Sequence, residues 1–278
     1  MELTPYVLKI DCQDVSTKIT HFIKDYVDKV KAEGIVLGLS GGVDSSVTAA
    51  LSALAVGGER VFGLMLPEDE TRNAEDIKHA KIVAHKFGIE TELCDITKIL
   101  DSFYEKLPGF DPTDRVSKGN IKARTRMICI YYYANHLRRI VCGSSDKSET
   151  MMGYFTKWGD VASDISPIMD LYKMQVRELA RHVGIPREIP DKPASPSLWP
   201  GQTAENELGI DYCRLDLVLY GLEHFVEPDE IAHELSMSRR KVEEIKQRWL
   251  SAEHKRQVLL TSKLGYRTVG ADFRLLRG

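Results

Sequence analysis

The 278 residues contain no apolar run long enough to cross a membrane, and no basic flank with an apolar core near the N-terminus. We therefore expect neither a membrane segment nor a signal peptide. The five cysteines are scattered and none forms a C-x-x-C pair, which argues against a zinc site and predicts reduced thiols in a cytoplasmic protein. The formal net charge of −3 lacks the positive excess of a protein that coats nucleic acid.

A glycine-rich stretch follows the first apolar run. The run over 35–37 ends in Gly38-Leu39-Ser40-Gly41-Gly42, and an apolar helical pattern begins at Val43. This pattern predicts a buried strand, a tight turn and a helix start, where uncovered amides and the helix dipole favour an anion. The hydroxyls of Ser40, Ser45 and Ser46 add donors, and Asp44 adds a carboxylate for a divalent metal. No lysine follows Gly42, so the stretch is not the usual P-loop, and a turn that only joins strand to helix is the alternative.

Strand and helix patterns alternate along the first half of the chain. The predicted strands are 35–37, 61–66, 89–94 and 139–142, and the predicted helices are 14–30, 43–56, 73–87 and about 119–135. This order predicts an α/β fold with a doubly wound parallel sheet flanked by helices. Ligands of such sheets bind beyond the carboxyl ends of the strands, where the glycine stretch falls. Met65 and Leu66 end a neighbouring strand, and they either border an adenine or belong to the core.

Three cations follow a predicted polar loop over 108–118. Lys122, Arg124 and Arg126 fall in the first turns of the predicted helix, where positive charge opposes the helix dipole. Their placement indicates either a bound anion or a solvated face.

A second loop of glycine, hydroxyls and acids follows the fourth strand. In Gly143-Ser144-Ser145-Asp146-Lys147-Ser148-Glu149, Ser144 suits a phosphate and Glu149 suits a hard cation. The same residues also form an ordinary helix N-cap. The next stretch, 154–160 with Asp164, mixes aromatic, basic and acidic groups, which suits a pocket for a charged aromatic ligand or a surface loop.

The remainder is predicted to be helical around one long loop. Helices are predicted over 171–183, 212–222, 230–235 and 239–250, and the proline-rich segment 186–209 is predicted to be a lid. Residues 229–245 have the rhythm of a helix-turn-helix, which indicates either helix packing or DNA binding. We expect one domain over 1–278, with the core sheet in about 14–185 and the C-terminal helices and tail in 210–278.

The stretch SGGVDSS resembles the pyrophosphate loop of the N-type ATP pyrophosphatases, which include GMP synthetases, asparagine synthetases and tRNA-thiolating enzymes. GNIKARTRM, YFTKWGD with Asp164, and the late EHKR at 253–256 resemble one family among them, the ammonia-dependent NAD synthetases, over about 22–256. The resemblance implies an adenine nucleotide alpha hydrolase-like fold and a ligase that converts nicotinic acid adenine dinucleotide (deamido-NAD) to NAD. Its co-substrates would be ATP and ammonia, its products AMP and pyrophosphate, and its assembly a homodimer with the dinucleotide near the subunit interface.

The resemblance also implies roles for individual residues. ATP would be bound by Gly38, Leu39, Ser40, Gly41, Gly42, Val43, Asp44, Ser45, Ser144, Lys173 and Ser195. Mg²⁺ would be held by Asp44 and Glu149, and deamido-NAD by Arg124, Lys157, Asp164, His254 and Lys255. Ser144 and Ser195 stand where the family often has threonine, and both keep the hydroxyl.

Amination needs neutral ammonia, and Asp160 is the candidate base that deprotonates ammonium, with a structural role as the alternative. The segment 193–209 would exclude water from the adenylate. The chain is short for a glutaminase module beside the synthetase fold, so we expect free ammonia or a separate donor. The tail after Gln257 is expected either to complete the dinucleotide site or to cover the dimer interface. The competing hypotheses are a GMP synthetase module acting on XMP and a nucleotide-sensing DNA-binding regulator.

Overall fold

The computed structural model describes residues 2–257 and 260–268, so most of the tail lies outside the described residues. Its strands are β1 Ile35–Gly38, β2 Val61–Met65, β3 Glu90–Leu93 and β4 Ile140–Val141. Its helices are α1 Cys12–Val30, α2 Val43–Val56, α3 Ala74–Lys86, α4 Thr97–Lys106, α5 Arg115–His136, α6 Lys147–Met152, α7 Lys173–His182, α8 Ala204–Leu208, α9 Tyr212–Glu223, α10 Pro228–Glu234, α11 Arg239–Ser251 and α12 Glu253–Arg256. Among these, none has both the length and the apolar character needed to cross a bilayer.

The strands form a parallel sheet in the order β3-β2-β1-β4. The chain winds outward from β1 through β2 to β3, and then returns to the other side of β1 as β4. This reversal is the topological switch at which ligands bind in open α/β sheets. The prediction of a doubly wound parallel sheet is confirmed, and the glycine stretch follows β1 at the switch.

Alternate residues of the central strands face different helices. Ile35 and Leu37 of β1 pack into the core beneath α1, α2 and α7, whereas Val36 packs with Met127 and Ile130 of α5. This is the period of two expected for a strand. Because both faces are covered, β1 and β2 read as continuous apolar runs.

A second core lies among the C-terminal helices. Tyr212, Leu215 and Val218 of α9 are fully buried there, together with Ile231 of α10 and Val242 of α11. The predicted helical C-terminal part is confirmed.

The predicted loop over 108–118 is wrong in its last four residues. The carboxylate of Asp114 accepts a hydrogen bond from the main-chain N of Ser117, and α5 begins at Arg115. Lys122, Arg124 and Arg126 therefore lie beyond the first turn, where the dipole argument does not apply. The prediction also missed α4, and α8 lies inside the segment expected to be a loop.

Lys122 is neither at an anion site nor on a solvated face. Its side chain is fully buried, and its Nζ lies 2.8 Å from Glu68 Oε1 and 2.7 Å from Glu70 Oε2. Glu68 is also buried. A buried charge is tolerated when it is paired in this way, and the pairing fixes the loop after β2 to α5.

Candidate functional site

The N-terminus of α2 lacks the side-chain cap that most of the other helices have. Gly42 is its N-cap and supplies no side-chain hydrogen bond to the first turn. Side chains cap most of the other helices, namely Asp11, Asn73, Asp114, Asp146, Thr203, Asp211 and Ser238. The first-turn amides of α2 are thus left without a side-chain acceptor, which is the arrangement that binds phosphate.

Serine hydroxyls hold the shape of this loop. Ser40 Oγ lies 2.9 Å from Ser45 Oγ, and the main-chain N of Gly42 donates to Ser40 Oγ. Ser45 and Ser46 both donate to the carbonyl of Gly42, at 3.2 and 2.7 Å. Gly41 has φ +80°, and a Cβ there would lie 2.1 Å from the carbonyl oxygen of Asp76. Only glycine fits at this position, because both the backbone conformation and the space exclude a side chain.

A cavity of about 590 Å³ opens beyond the carboxyl ends of the strands. Of the predicted site residues it is lined by Gly38, Leu39, Ser40, Ser144, Glu149, Asp160, Ser195 and Lys255. Met65 and Leu66 also line it. The phosphate loop, the second loop after β4 and part of the predicted lid thus meet at one cavity.

A buried ammonium lies among carboxylates beside this cavity. Lys173 Nζ is 2.7 Å from Asp44 Oδ2, 2.7 Å from Asp146 Oδ2 and 2.9 Å from Glu149 Oε1. Lys173 is fully buried and does not line the cavity, so its charge faces the carboxylates. Burial alone would lower the pKa of Lys173, but the three carboxylates raise it well above its usual value.

The carboxylates fit a divalent cation. Asp44, Asp146 and Glu149 each offer an oxygen within 4.8 Å of the others, and Asp44 Oδ1 is buried without a hydrogen-bond partner. Burial raises the pKa of Glu149 to about 8, with the neighbouring carboxylates Asp146 and Asp44 adding to the rise while Lys173 opposes it. Three oxygens of this kind are the donors that Mg²⁺ prefers. Asp44 and Glu149 are brought together as predicted, and Asp146 joins them.

The geometry of Asp160 is compatible with both alternatives considered for it, a base and a structural residue of the loop. Its Oδ1 accepts a hydrogen bond from the main-chain N of Thr156 at 2.8 Å, which holds the loop, and its side chain is exposed to the cavity. The surrounding protein nevertheless raises the pKa of its carboxyl, against the opposing effects of Lys255 and Arg126. A raised pKa makes a carboxylate a stronger base.

Four predicted deamido-NAD residues do not line the cavity. Arg124 donates to the carbonyl of Lys157 at 3.1 Å, and Lys157 Nζ donates to the carbonyl of His254 at 2.6 Å, on the outside of the chain. Asp164 accepts from the main-chain N of Val141 at 2.7 Å. Lys255 alone of this group lines the cavity, where its Nζ donates to the carbonyls of Gly153 and Phe155.

Hydrogen bonds hold the predicted lid segment over the cavity. The carbonyl of Ser197 accepts from Arg126 at 3.4 Å and lies 3.0 Å from Thr71 Oγ1, which is also 2.6 Å from Glu68 Oε1. The main-chain N of Leu198 donates a hydrogen bond to Gln202 Oε1, and Gln202 Nε2 donates one to Glu207.

Several cavity residues were missed by sequence reasoning. Arg126, Gln202, Glu207 and Arg248 line the cavity without an assigned role. Arg126 belongs to the basic cluster of Lys122, Arg124 and Arg126, and this cluster was the only sequence pattern that could have indicated its place in the site. Gln202 and Glu207 lie in the segment 186–209, whose apolar residues show neither the helix nor the strand periodicity.

The helix-turn-helix rhythm corresponds to packing. In α11, Val242 and Ile245 are buried against the C-terminal core. The leading cations are engaged within the chain, since Arg239 pairs with Asp229 at 3.0 Å and Arg240 with Glu244 at 2.9 Å. A recognition helix would present such groups to phosphates or bases.

Comparisons with known proteins identify the family to which this chain is similar. The family model for NAD synthase matches residues 15–259. The NH(3)-dependent NAD(+) synthetase of Methanocaldococcus jannaschii is 44% identical over 255 residues, which are 91% of this chain and 97% of that protein.

Two solved structures share the fold along their whole length. The NMN synthetase from Francisella tularensis is 34% identical with a TM-score of 0.80, covering 91% of this chain and 99% of that chain. The NH3-dependent NAD synthetase from Campylobacter jejuni, in complex with the nitrate ion, is 28% identical with a TM-score of 0.77, covering 92% and 100%.

Replacing Gly41 tests the loop geometry. We expect Gly41→Ala to lower the free energy of unfolding by about 1–3 kcal/mol, because a residue other than glycine is strained at positive φ and its Cβ would meet the Asp76 carbonyl. Gly42→Ala is the matched control, since the nearest atom to its Cβ is 3.4 Å away and φ is −84°. Equal urea midpoints for the two variants would contradict this account of the loop.

Proposed function

We propose that this chain, which belongs to the NAD synthase family, converts deamido-NAD to NAD with ATP and with ammonia as the nitrogen source. The observation that carries the proposal is a single cavity lined by Gly38, Leu39 and Ser40 of the phosphate loop, by Glu149 of the carboxylate cluster and by Asp160. A phosphate site, a cation site and a base are the three parts that amidation by adenylation requires.

The chemistry accounts for the phosphate loop. A carboxylate is a poor acyl donor, because its negative charge repels a nucleophile. A carboxylate oxygen attacks the α-phosphorus of ATP, which forms an O–P bond and breaks the P–O bond to the β-phosphate, so pyrophosphate leaves and a mixed anhydride with AMP remains. The amides of the loop over 40–43 and the Ser40 and Ser45 hydroxyls would hold the departing diphosphate.

The carboxylate cluster accounts for the cation. Asp44 and Glu149 would hold Mg²⁺, with Asp146 as a further oxygen donor. When bound, Mg²⁺ would neutralise charge that develops on the phosphates. Lys173 would set the charge and spacing of these carboxylates, and Ser144 and Ser195 would contact ATP from the cavity wall.

Asp160 would act in the second half of the reaction. Its carboxylate would capture ammonium at the cavity and take one proton, and the resulting ammonia would attack the mixed anhydride and displace AMP. The segment over 195–199 lies on the cavity and would exclude water from that intermediate. Ammonia would enter free or from a separate donor.

The outer deamido-NAD residues favour a homodimer. Arg124, Ile128 and Tyr132 follow one another at four-residue spacing on the exposed face of α5, and the last two side chains are 62% and 63% exposed. Arg124 connects this stripe to Lys157 and His254. A second copy docked on the stripe would cover its apolar groups and enclose a dinucleotide at the subunit boundary.

We place the active chain, a single domain with its lid over 186–209, in the cytoplasm. Its cysteines are all unpaired thiols, as a reducing compartment requires.

A mononucleotide is the second candidate substrate. The similarity to the NMN synthetase from Francisella tularensis favours it, since the acid that corresponds to NMN carries the same nicotinate carboxylate. The relatives named above are NAD and NMN synthetases, and none of them favours a GMP synthetase module acting on XMP.

An assay of products tests the reaction. We expect NAD, AMP and pyrophosphate in equal amounts only when deamido-NAD, ATP, ammonium and Mg²⁺ are all present, measured by chromatography. Asp44→Ala and Glu149→Ala should abolish pyrophosphate release with the fold retained by circular dichroism. Nicotinic acid mononucleotide and XMP, supplied separately, distinguish the alternative substrates, and ADP in place of AMP would exclude the proposal.

A variant of Asp160 tests the base. We expect Asp160→Asn to retain exchange of labelled pyrophosphate into ATP, because adenylation does not need the base, and to lose about 10²–10⁴-fold in NAD formation. Loss of both activities to the same degree would instead indicate a structural role in the loop.

Charge on the α5 stripe tests the assembly. We expect wild type to have the mass of a dimer in light scattering and Ile128→Asp to have that of a monomer, because a carboxylate would be buried unpaired. Phe225→Asp is the control, since Phe225 is 93% exposed in the loop between α9 and α10 and does not belong to the α5 stripe. A monomeric wild type would contradict this assembly.

A further inference from the structure

A buried carboxylate outside the cavity is not used by the proposed reaction. Asp216 lies in α9, is fully buried and does not line the cavity. Its neighbours Leu215 and Val218 belong to the apolar core of the C-terminal helices. A carboxylate in such surroundings is costly unless its oxygens are hydrogen-bonded, so its partners indicate its role.

Both oxygens of Asp216 accept hydrogen bonds from segments that carry site residues. Oδ1 accepts from Ser148 Oγ at 2.6 Å, and Oδ2 accepts from the main-chain N of Met174 at 2.8 Å. Ser148 Oγ accepts in turn from the main-chain N of Lys173 at 2.9 Å. A closed ring of hydrogen bonds therefore joins α9, α6 and the first turn of α7.

The ring fits a carboxylate and not an amide. Both donors need an acceptor oxygen, whereas an amide side chain would present an NH₂ group to one of them. Negative charge is also favoured beside the amides at the N-terminus of α7. Burial raises the pKa of Asp216 to about 7, and the hydrogen bonds from Ser148 and Met174 oppose that rise.

The ring sets the spacing of two groups in the carboxylate cluster. Ser148 precedes Glu149 in α6, and Lys173 is the first residue of α7. Lys173 Nζ and Glu149 Oε1 meet at 2.9 Å. A shift of either main-chain segment would change this distance and loosen the cluster.

We propose that Asp216 is a positioning residue, which acts through Ser148 and the first turn of α7 to hold Lys173 and Glu149 at the spacing at which the cluster binds a divalent cation with ATP. Asp216 itself touches neither the cavity nor the cation site. The role deepens the proposed function and rests on it for the identity of the nucleotide.

Four variants test this role: Asp216→Asn, Ser148→Ala, the double variant, and Val218→Ala as a control. Val218 is fully buried in the same helix and core but belongs to no hydrogen-bond ring. The measurements are Mn²⁺ binding in the presence of ATP by electron paramagnetic resonance, kcat and KM for NAD formation, and the melting temperature of the intact chain.

We expect Asp216→Asn to weaken Mn²⁺ binding and to lower kcat by about 10–100-fold, the usual effect of losing a group that orients metal ligands. KM for deamido-NAD should change little. The double variant should bind Mn²⁺ no more weakly than Asp216→Asn does, because both substitutions break the same ring. Val218→Ala should lower the melting temperature while Mn²⁺ affinity and kcat stay at wild-type values.

Wild-type Mn²⁺ affinity and kcat in Asp216→Asn, with a melting temperature lowered as in Val218→Ala, would overturn the proposal. If Asp216→Asn does not fold, Ser148→Ala is the decisive variant, because it keeps the carboxylate and breaks the ring. Wild-type Mn²⁺ affinity and kcat in Ser148→Ala would equally overturn the proposal. Mn²⁺ binding needs no turnover. A wild type that binds Mn²⁺ with ATP but forms no NAD would therefore contradict the proposed function and leave the positioning role supported by the variants.

Discussion

The ion pairing of Lys173 joins the two halves of this molecule. Its ammonium, at the start of α7, lies against carboxylates that come from α2 and α6. Helix α2 begins at the phosphate loop, and α6 packs on α9 in the C-terminal core. Three carboxylates opposite one ammonium leave two negative charges in excess when all are ionised, so the cluster both needs Lys173 and retains affinity for a cation. This pairing therefore connects the helix that follows the phosphate loop to the first residues of α6 and α7.

Local patterns could be predicted from the sequence, and distant pairings could not. The glycine stretch, the strands β1 and β2 and the helix α2 are encoded within a few residues, and the structure confirms them. Lys122 read as one of three equivalent cations, because its partners Glu68 and Glu70 lie about fifty positions earlier in the chain. The start of α5 at Arg115 could have been predicted from the sequence, since aspartate is a preferred N-cap residue and Asp114 precedes the helix.

Sequence motifs identify candidate site residues but do not show where their side chains lie in the structure. Arg124, Lys157 and Lys255 come from matching stretches, yet Lys255 lines the cavity and the other two lie outside it. Asp146 shows the converse: its side chain, interpreted from the sequence as a helix cap, also lies 2.7 Å from Lys173 Nζ and belongs to the carboxylate cluster. The two carboxylate oxygens divide these contacts, since Oδ1 accepts from the main-chain N of Glu149 and Oδ2 lies against Lys173 Nζ. Only three-dimensional proximity reveals the second contact.

The hydroxyl of Thr71 connects the segment over the cavity to the buried network around Glu68. It carries a single proton but lies within reach of two acceptors, the carbonyl of Ser197 in the segment over the cavity and the carboxylate of Glu68 in the buried network. If Ser197 moved away, the proton could turn wholly toward Glu68, so the Thr71 hydroxyl would keep an acceptor. Rotation about one side-chain bond would thus compensate for the lost contact, so displacement of Ser197 would cost the Thr71 hydroxyl little enthalpy.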